Sequence, residues 1–158
     1  MKDTLSFAVR SATADDVQAI FDLECACFPA DAWAEAAVAS HLQSANCGAL
    51  LAFCENKLCG YLLWQAIPPE FELLRVGVLP AFRANGIGQA LLQALFATMK
   101  QKNATKGFLE VRATNATARK LYEKNGYTLC GERKNYYKNP TEHAALYEIS
   151  LKDDKENV

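Results

Sequence analysis

Leu109-Glu110-Val111-Arg112-Ala113-Thr114-Asn115-Ala116-Thr117-Ala118-Arg119-Lys120-Leu121-Tyr122-Glu123-Lys124-Asn125-Gly126-Tyr127 holds a strand, a turn and a helix in nineteen residues. Residues 108–112 read as a strand, on which Glu110 and Arg112 lie two positions apart and share one face. Asn115 is a favourable N-cap, because its short carbonyl side chain accepts from an N–H of the first turn. Gly126 suits the left-handed conformation that commonly closes a helix, so the spacing predicts a helix over 115–125. Tyr122 stands seven residues beyond Asn115, two helical turns, which predicts that both face one side.

Upstream, Val76-Gly77-Val78-Leu79-Pro80-Ala81-Phe82-Arg83-Ala84-Asn85-Gly86-Ile87-Gly88 repeats the plan. A strand over 71–78 stops at Pro80, a loop follows over 81–85, and a helix is predicted over 86–102. In that helix Ile87, Ala90, Leu91, Ala94, Leu95, Thr98 and Met99 recur at three and four,. The first N–H groups of a helix lack intrahelical partners and carry positive partial charge, which makes them a cradle for phosphate. Gly86 and Gly88 let a pyrophosphate approach the backbone, and Arg83 adds a permanent cation. The segment is neither a GxGxxG fingerprint nor a Walker loop. Taken alone, it is equally an ordinary glycine-started helix beside an exposed arginine.

The remaining segments supply the other elements. A first strand is predicted over 5–10, and Thr13 with Asp16 forms a capping-box-like start for a helix bearing Val17, Ile20, Phe21 and Leu23,. That helix ends near Phe28-Pro29, and a shorter one follows over 34–42. Strands over 49–55 and 60–67 join at Asn56-Lys57, and Pro68-Pro69 stops the second. Strands over 127–133 and 144–151 flank a loop at 138–143. Hairpins mixed with helical crossovers predict an α/β (α+β) fold: a mixed, mostly antiparallel central sheet of about seven strands flanked by about four helices. With neither linker nor repeat, residues 1–152 read as a single domain, and the charged tail 153–158 as frayed.

Composition narrows the classes. A chain of 158 residues, 51% hydrophobic and 22% charged with net charge -1, is that of one globular domain without a basic footprint for nucleic acid,. The longest apolar run, Ala49 to Cys54, is far below membrane-helix length, and the start of the chain lacks a signal-peptide run,. No membrane partner and a cytoplasmic location are therefore expected. Cys25, Cys27, Cys47, Cys54, Cys59 and Cys130 contain no CxxC, and His41 and His143 lie far apart. No metal site is expected, and most of the cysteines read as small buried hydrophobes.

The two motif segments together resemble the GCN5-related N-acetyltransferase superfamily, in which RxxGxG/A precedes N-x-x-A-x-x-L-Y-x-x-x-G-F/Y by about thirty residues. The likeness covers nearly the whole chain. A closer resemblance is to the bacterial ribosomal-protein-alanine N-acetyltransferases, whose LEVRxxNxxAxxLYExxGF run is nearly reproduced over 109–127. Their Arg-x-Asn-Tyr-Tyr run is matched by Arg133-Lys134-Asn135-Tyr136-Tyr137. The resemblance implies acetyl-coenzyme A as co-substrate and the terminal amino group of a ribosomal protein, beginning with alanine, as acceptor. By position it implies Glu110 as general base and Tyr122 as general acid. It implies cofactor contacts from Val76, Val78, Arg83, Ala84, Asn85, Gly86, Ile87, Gly88 and Asn115, and acceptor contacts from Trp33, Glu72 and Tyr136. One stretch departs from the pattern: where the family has Phe-Pro-Trp-Ser-Glu, this chain inserts residues between Pro29 and Trp33 and has Ala34 for serine.

These residue types suit acyl transfer. An α-amino group, with a pKa near 8 against about 10.4 for lysine, can be deprotonated near neutral pH by one carboxylate, directly or through water. A phenol can protonate a departing thiolate, and a backbone N–H near Val78 can hold the carbonyl oxygen. By the same resemblance Glu72 is a reserve base, because the corresponding strand carries the carboxylate in other branches of the superfamily. Read without the family, Glu110 equally fits a salt bridge to Arg112, and Tyr122 a core tyrosine. Arg112, Arg119 and Lys120 are candidate phosphate contacts or solvated charges. Two rival functions remain: the same chemistry on a lysine, polyamine, antibiotic or amino acid, and a non-catalytic acyl-coenzyme A-binding module.

Overall fold

The computed structural model describes residues 6–151. The strands are β1 (Phe7–Ser11), β2 (Cys47–Cys54), β3 (Lys57–Ile67), β4 (Glu70–Val78), β5 (Lys106–Arg112), β6 (Thr128–Tyr137) and β7 (Glu142–Ser150). Their order is β1-β2-β3-β4-β5-β7-β6, with β4 and β5 parallel and β1–β2, β2–β3, β5–β7 and β6–β7 antiparallel. Among the described residues, seven strands and four helices thus form the mixed, mostly antiparallel sheet fold expected. The charged tail 153–158 and the first residue of the predicted opening strand lie outside the described residues. By their contacts the described residues group into two compact units, 6–65 with 75–95 and 66–74 with 96–151.

The first unit opens with β1 (Phe7–Ser11), a 3-10 turn (Ala14–Asp16) and α1 (Val17–Cys27). The capping box forms as the sequence implied: Asp16 accepts from the Thr13 N–H at 2.7 Å, and Thr13 Oγ1 accepts from Asp15 N–H at 3.3 Å. Arg10 grips the same Asp16 carboxylate through two 2.9 Å hydrogen bonds, and this contact brings the Asp16 pKa down to about 2. Next come α2 (Glu35–Gln43), β2 (Cys47–Cys54) and β3 (Lys57–Ile67). The hairpin turns at Glu55-Asn56, both at positive φ, slightly earlier than the Asn56-Lys57 turn expected. Ile20, Leu23, Leu51, Leu62, Ile87 and Leu91 form its sealed apolar centre.

β4 (Glu70–Val78) contributes residues to both units, as does α3 (Ile87–Gln101). In the second unit β5 (Lys106–Arg112) pairs with β4 across Glu70–Glu72 and, over its own whole length, with residues 144–150 of β7 (Glu142–Ser150). α4 (Ala116–Lys124) follows β5 and leads into β6 (Thr128–Tyr137). Phe71, Phe96, Leu109, Val111, Tyr127 and Tyr147 bury its core.

β6 runs four residues beyond the predicted end and reaches Tyr137. The reason is a bulge: Arg133 pairs with Ala144 and Tyr137 with Glu142, so four steps on β6 oppose two on β7,. Asn135, at φ 53°, takes up the excess, and its N–H donates to His143 Nδ1 at 3.0 Å. A period-two reading of the sequence stops at this irregularity.

The cysteine expectation is corrected. Only Cys54 and Cys59 are buried; Cys27 and Cys47 are half-buried, while Cys25 and Cys130 are exposed, and all six are free thiols. Cys25 falls on the outer side of α1 and Cys130 on the terminal strand β6, where the pattern of the element overrides the residue's preference.

Candidate active site

In the first unit, the loop after β4 is shaped by its own backbone. Ala84 and Gly86 both take positive φ, 66° and 81°, and the Asn85 amide group donates to the carbonyls of Phe82 and Arg83 at 3.1 and 3.2 Å. A Cβ placed on Gly86 would meet no atom within 4 Å, so the space above this glycine is open and only its φ demands glycine,. The Gly86 carbonyl accepts from the Ala90 N–H at 3.0 Å and starts α3, which leaves the preceding N–H groups at the helix mouth,. Arg83 is exposed and Ile87 buried beneath the loop. This backbone, with its positive helix end, adjacent guanidinium and open approach, fits a pyrophosphate. Arg83 Nε also donates to the Val78 carbonyl at 2.9 Å, which ties the cation to the end of β4. The neighbouring Leu79 N–H is engaged by the Cys59 carbonyl at 2.8 Å and is not available to a carbonyl oxygen of a ligand.

The second unit brings four polar residues together on β4, β5 and β6. Glu110, on β5, is half-buried while its neighbours Leu109 and Val111 are in the core. Its carboxylate lies 3.6 Å from Arg133 Nε, an ion pair without hydrogen-bond geometry,. Interaction of the Tyr136 hydroxyl with the Glu110 carboxylate, followed by partial burial and the Glu110 charge, raises the Tyr136 pKa. Glu72 on β4 is affected too: loss of water around its carboxyl, and then the charge of Glu110, raise its pKa, while Arg133 opposes them. Glu110, Glu72 and Tyr136 are therefore neighbours. Arg133 is a member that the sequence reading assigned no role, although it heads the Arg-x-Asn-Tyr-Tyr run.

Tyr122 is buried in α4, 7% exposed, with Tyr127 edge-on at 5.8 Å and Tyr147 tilted at 6.4 Å. Asn115 is the N-cap read from the sequence, but its side chain does not share a row with Tyr122. It precedes the helix as its N-cap, is exposed, and its carbonyl oxygen accepts from the Ala118 N–H at 3.1 Å. Its side chain turns back onto the first turn rather than standing in a row with Tyr122, because a cap residue has left helical geometry.

Arg112 does not pair with Glu110. It reaches Glu142 at 3.3 Å, donates to the Pro140 and Lys138 carbonyls, and stacks on Tyr137 with its guanidinium carbon 4.5 Å from the ring centre. Arg119 donates to the Tyr147 hydroxyl and to the Ala113 carbonyl, at 2.8 and 2.7 Å. Both arginines serve the β6–β7 hairpin and the foot of α4. Lys120 is exposed.

The most buried charged group was not singled out from sequence. Glu24 on α1 is fully buried and accepts four hydrogen bonds: Tyr61 hydroxyl at 2.6 Å, Arg75 Nε at 3.0 Å, Arg75 Nη2 at 3.1 Å and the Trp33 N–H at 2.9 Å. Burial opposes the Arg75 charge, but Glu24 outweighs it and raises the Arg75 pKa; burial and Glu24 together push the Tyr61 pKa far above its usual value. A signal was present: Ile20, Leu23, Glu24 and Cys27 fall at the spacing of one helix face, so the carboxylate stood in an apolar stripe,.

Among the described residues, no group of three or more His, Cys, Asp or Glu side chains is placed to hold a metal ion, and no helix is long and apolar enough to cross a membrane.

The family model described as acetyltransferase (GNAT) family matches residues 17–127. The chain belongs to this family. It is 37% identical over 86 residues to the [ribosomal protein bS18]-alanine N-acetyltransferase of Haemophilus influenzae, a match covering 54% of this chain and 58% of that one. It therefore spans little more than half the length of that relative. A putative [ribosomal protein bS18]-alanine N-acetyltransferase of Bacillus subtilis is 25% identical over 92% of this chain and 97% of its own length. Among solved structures, the ribosomal-protein-S18-alanine N-acetyltransferase of Escherichia coli superposes with a TM-score of 0.86 at 27% identity, covering 97% of this chain and 99% of that one.

Proposed function

We propose that the chain transfers an acetyl group to the terminal α-amino group of a protein, and that the acceptor is a ribosomal protein beginning with alanine. The observation that carries this reading is the Glu110 cluster: a half-buried carboxylate, a second one beside it, and a hydroxyl and a guanidinium at its edge. Two carboxylates attract an ammonium group, and one of them can then take its proton. The family membership and the names of the relatives in Haemophilus influenzae, Bacillus subtilis and Escherichia coli support the same acceptor. The family match runs through residues of both units, which supports reading 1–152 as one acetyltransferase domain.

Acetyl-coenzyme A, as donor, supplies the activated thioester. In this reading Arg83 and the backbone of residues 84–88 hold its pyrophosphate. Val76, Val78 and the Asn115 amide group, whose carbonyl is already used as a cap, hold the pantetheine arm. Glu110 accepts the proton of the attacking amine, directly or through water, so that a neutral nitrogen forms the new C–N bond. The Val78 N–H steadies the carbonyl oxygen as it gains charge, and Tyr122 gives its proton to the sulfur as the C–S bond breaks. Glu72, Tyr136 and Trp33 receive the acceptor's first residues. Transfer is direct, and no cysteine serves as a nucleophile. The location that goes with this chemistry is the cytoplasm, where ribosomes are made.

The test is turnover of acetyl-coenzyme A with peptides beginning in alanine, compared with lysine-containing peptides whose termini are blocked. Preference for the free alanine terminus is expected. Turnover confined to lysine or small amines would keep the chemistry and discard the acceptor. One observation favours that second reading: the longer stretch between Pro29 and Trp33, which departs from the pattern of the resembling enzymes. Coenzyme A binding without turnover on any amine would leave a binding module.

A further inference from the structure

The same longer stretch, residues 28–33, is bound at both ends to one buried ion pair. At its far end the Trp33 N–H donates to Glu24 Oε2 at 2.9 Å. At its near end the Phe28 ring lies under the Arg75 guanidinium, whose carbon is 4.1 Å from the ring centre. In between, Arg75 Nη2 donates to the Asp31 carbonyl at 2.8 Å, and Nη1 lies 3.6 Å from the Asp31 carboxylate. Arg75 and Glu24 grip each other through two parallel bonds, and Tyr61 closes the remaining side. Gly77 makes room for this arrangement: a Cβ there would stand 2.7 Å from Tyr61, 3.1 Å from Phe28 and 3.3 Å from Cys27. The Trp33 ring is held edge-on against buried His41, 5.4 Å away, and His41 Nε2 is 2.8 Å from the Gly48 carbonyl.

We propose that Glu24 and Arg75 are positioning residues for the acceptor: their bidentate pair fixes the 28–33 loop, and with it Trp33, in the conformation that receives the peptide terminus. The inference rests on the acetyltransferase reading above and deepens it, since it explains how a longer loop keeps a definite shape. A pair built only to hold the fold would not need its remaining donors and acceptors aimed at the backbone of an exposed loop. Here Arg75 gives a third bond, and Glu24 its fourth, to that backbone. Arg75 also stands immediately before Val76 and Val78 on β4, the strand assigned to the donor, so one rigid strand sets both substrates' reference points. A planar fork is required for this, which lysine cannot supply.

The experiment uses the full chain with Arg75→Lys, which keeps the charge and loses the fork, and Glu24→Gln, which keeps the shape and loses the charge. Amide exchange at Trp33 is expected to quicken by at least about tenfold in both. The acceptor KM should rise by about ten- to a hundredfold, the scale of a small misplacement. At saturating acceptor kcat should stay close to wild type, and coenzyme A affinity likewise. A fall in kcat for every acceptor with KM unchanged would mean a smaller folded fraction and a purely structural pair, and would overturn the proposal. So would unchanged exchange at Trp33. A wild-type enzyme inert toward alanine termini defeats the acceptor assignment instead. The pair is then judged by the same exchange and by KM for the amine that is turned over.

Discussion

Glu24 and Glu110 are both glutamates beside an arginine, and they could hardly be used more differently. Glu24 is fully buried, with each oxygen accepting two bonds and its arginine in bidentate contact. Glu110 is half-buried, its arginine is exposed, and their closest approach is 3.6 Å. A carboxylate whose lone pairs are all engaged has no capacity left for an incoming proton or amine, so its work is to hold shape. One with a loose cation and a single hydroxyl neighbour can exchange partners, as a proton acceptor must. Saturation, rather than charge or burial alone, separates the two.

The sharpest way to break this contrast is to remove the saturated member. Glu24→Ala leaves Arg75 without its buried partner and is expected to cost about 3–5 kcal/mol of stability, measured by chemical denaturation. A loss below about 1 kcal/mol, the range of exposed pairs, would place Glu24 with the weak surface contacts and erase the distinction.

The complementary changes should move rate and spare stability. Glu110→Gln is expected to lower kcat by about 10²-fold near neutral pH, with the deficit narrowing as pH passes the amine's own pKa near 8. Its denaturation midpoint should stay near wild type, because only a loose ion pair and one hydroxyl contact are disturbed. A pH-independent rate at wild-type level would remove Glu110 as base. Tyr122→Phe should slow transfer by at least about 10²-fold across the pH range, and an unchanged rate would remove Tyr122 as the acid.

A smaller effect has the opposite sign. The Tyr127 hydroxyl is buried without a hydrogen-bond partner, and burial, followed by the nearness of Tyr122, raises its pKa. Tyr127→Phe removes a polar group that lost its water on folding, so stability should rise by about 1 kcal/mol. A loss of stability would show that the hydroxyl is satisfied in solution.

The sequence made one half of this contrast visible. Asn115, Gly126, Pro80 and the periodic apolar residues of α3 have local consequences, so strands, helices and the cofactor-side loop could be placed from them. Glu110 and Tyr136 stand out in the sequence because each sits in a contiguous motif. Arg133 sat in the same motif and was passed over, since its contact with Glu110 depends on which strands pair. Glu24 lies dozens of residues before Tyr61 and Arg75, and only the fold brings them together. The bulge at Asn135 escaped for a related reason: a strand's period carries no notice of where its partner falls out of step. The cysteines mark the limit of residue preference, with Cys25 and Cys130 exposed because their elements leave no choice.

The smallest effect tests whether the Glu110 cluster is as open as the contrast requires. Glu72 has its pKa raised, first by loss of water and then by the Glu110 charge. A folded state that raises a carboxyl pKa binds the proton more tightly than the unfolded chain, whose value is about 4.3. The resulting stabilisation is complete below that value and disappears as pH rises through the raised folded pKa; above it the ionised carboxylate disfavours folding. Glu72→Gln cannot ionise, so it should be slightly more stable than wild type at neutral pH, and the difference should close as pH falls to about 3. Thermal melts of both proteins across that range measure it. Repeating them in a Glu110→Gln background removes the neighbouring charge and should shrink the neutral-pH difference. An undiminished difference would mean that Glu72 responds to its own desolvation alone, and that the two carboxylates do not act on an acceptor as a pair.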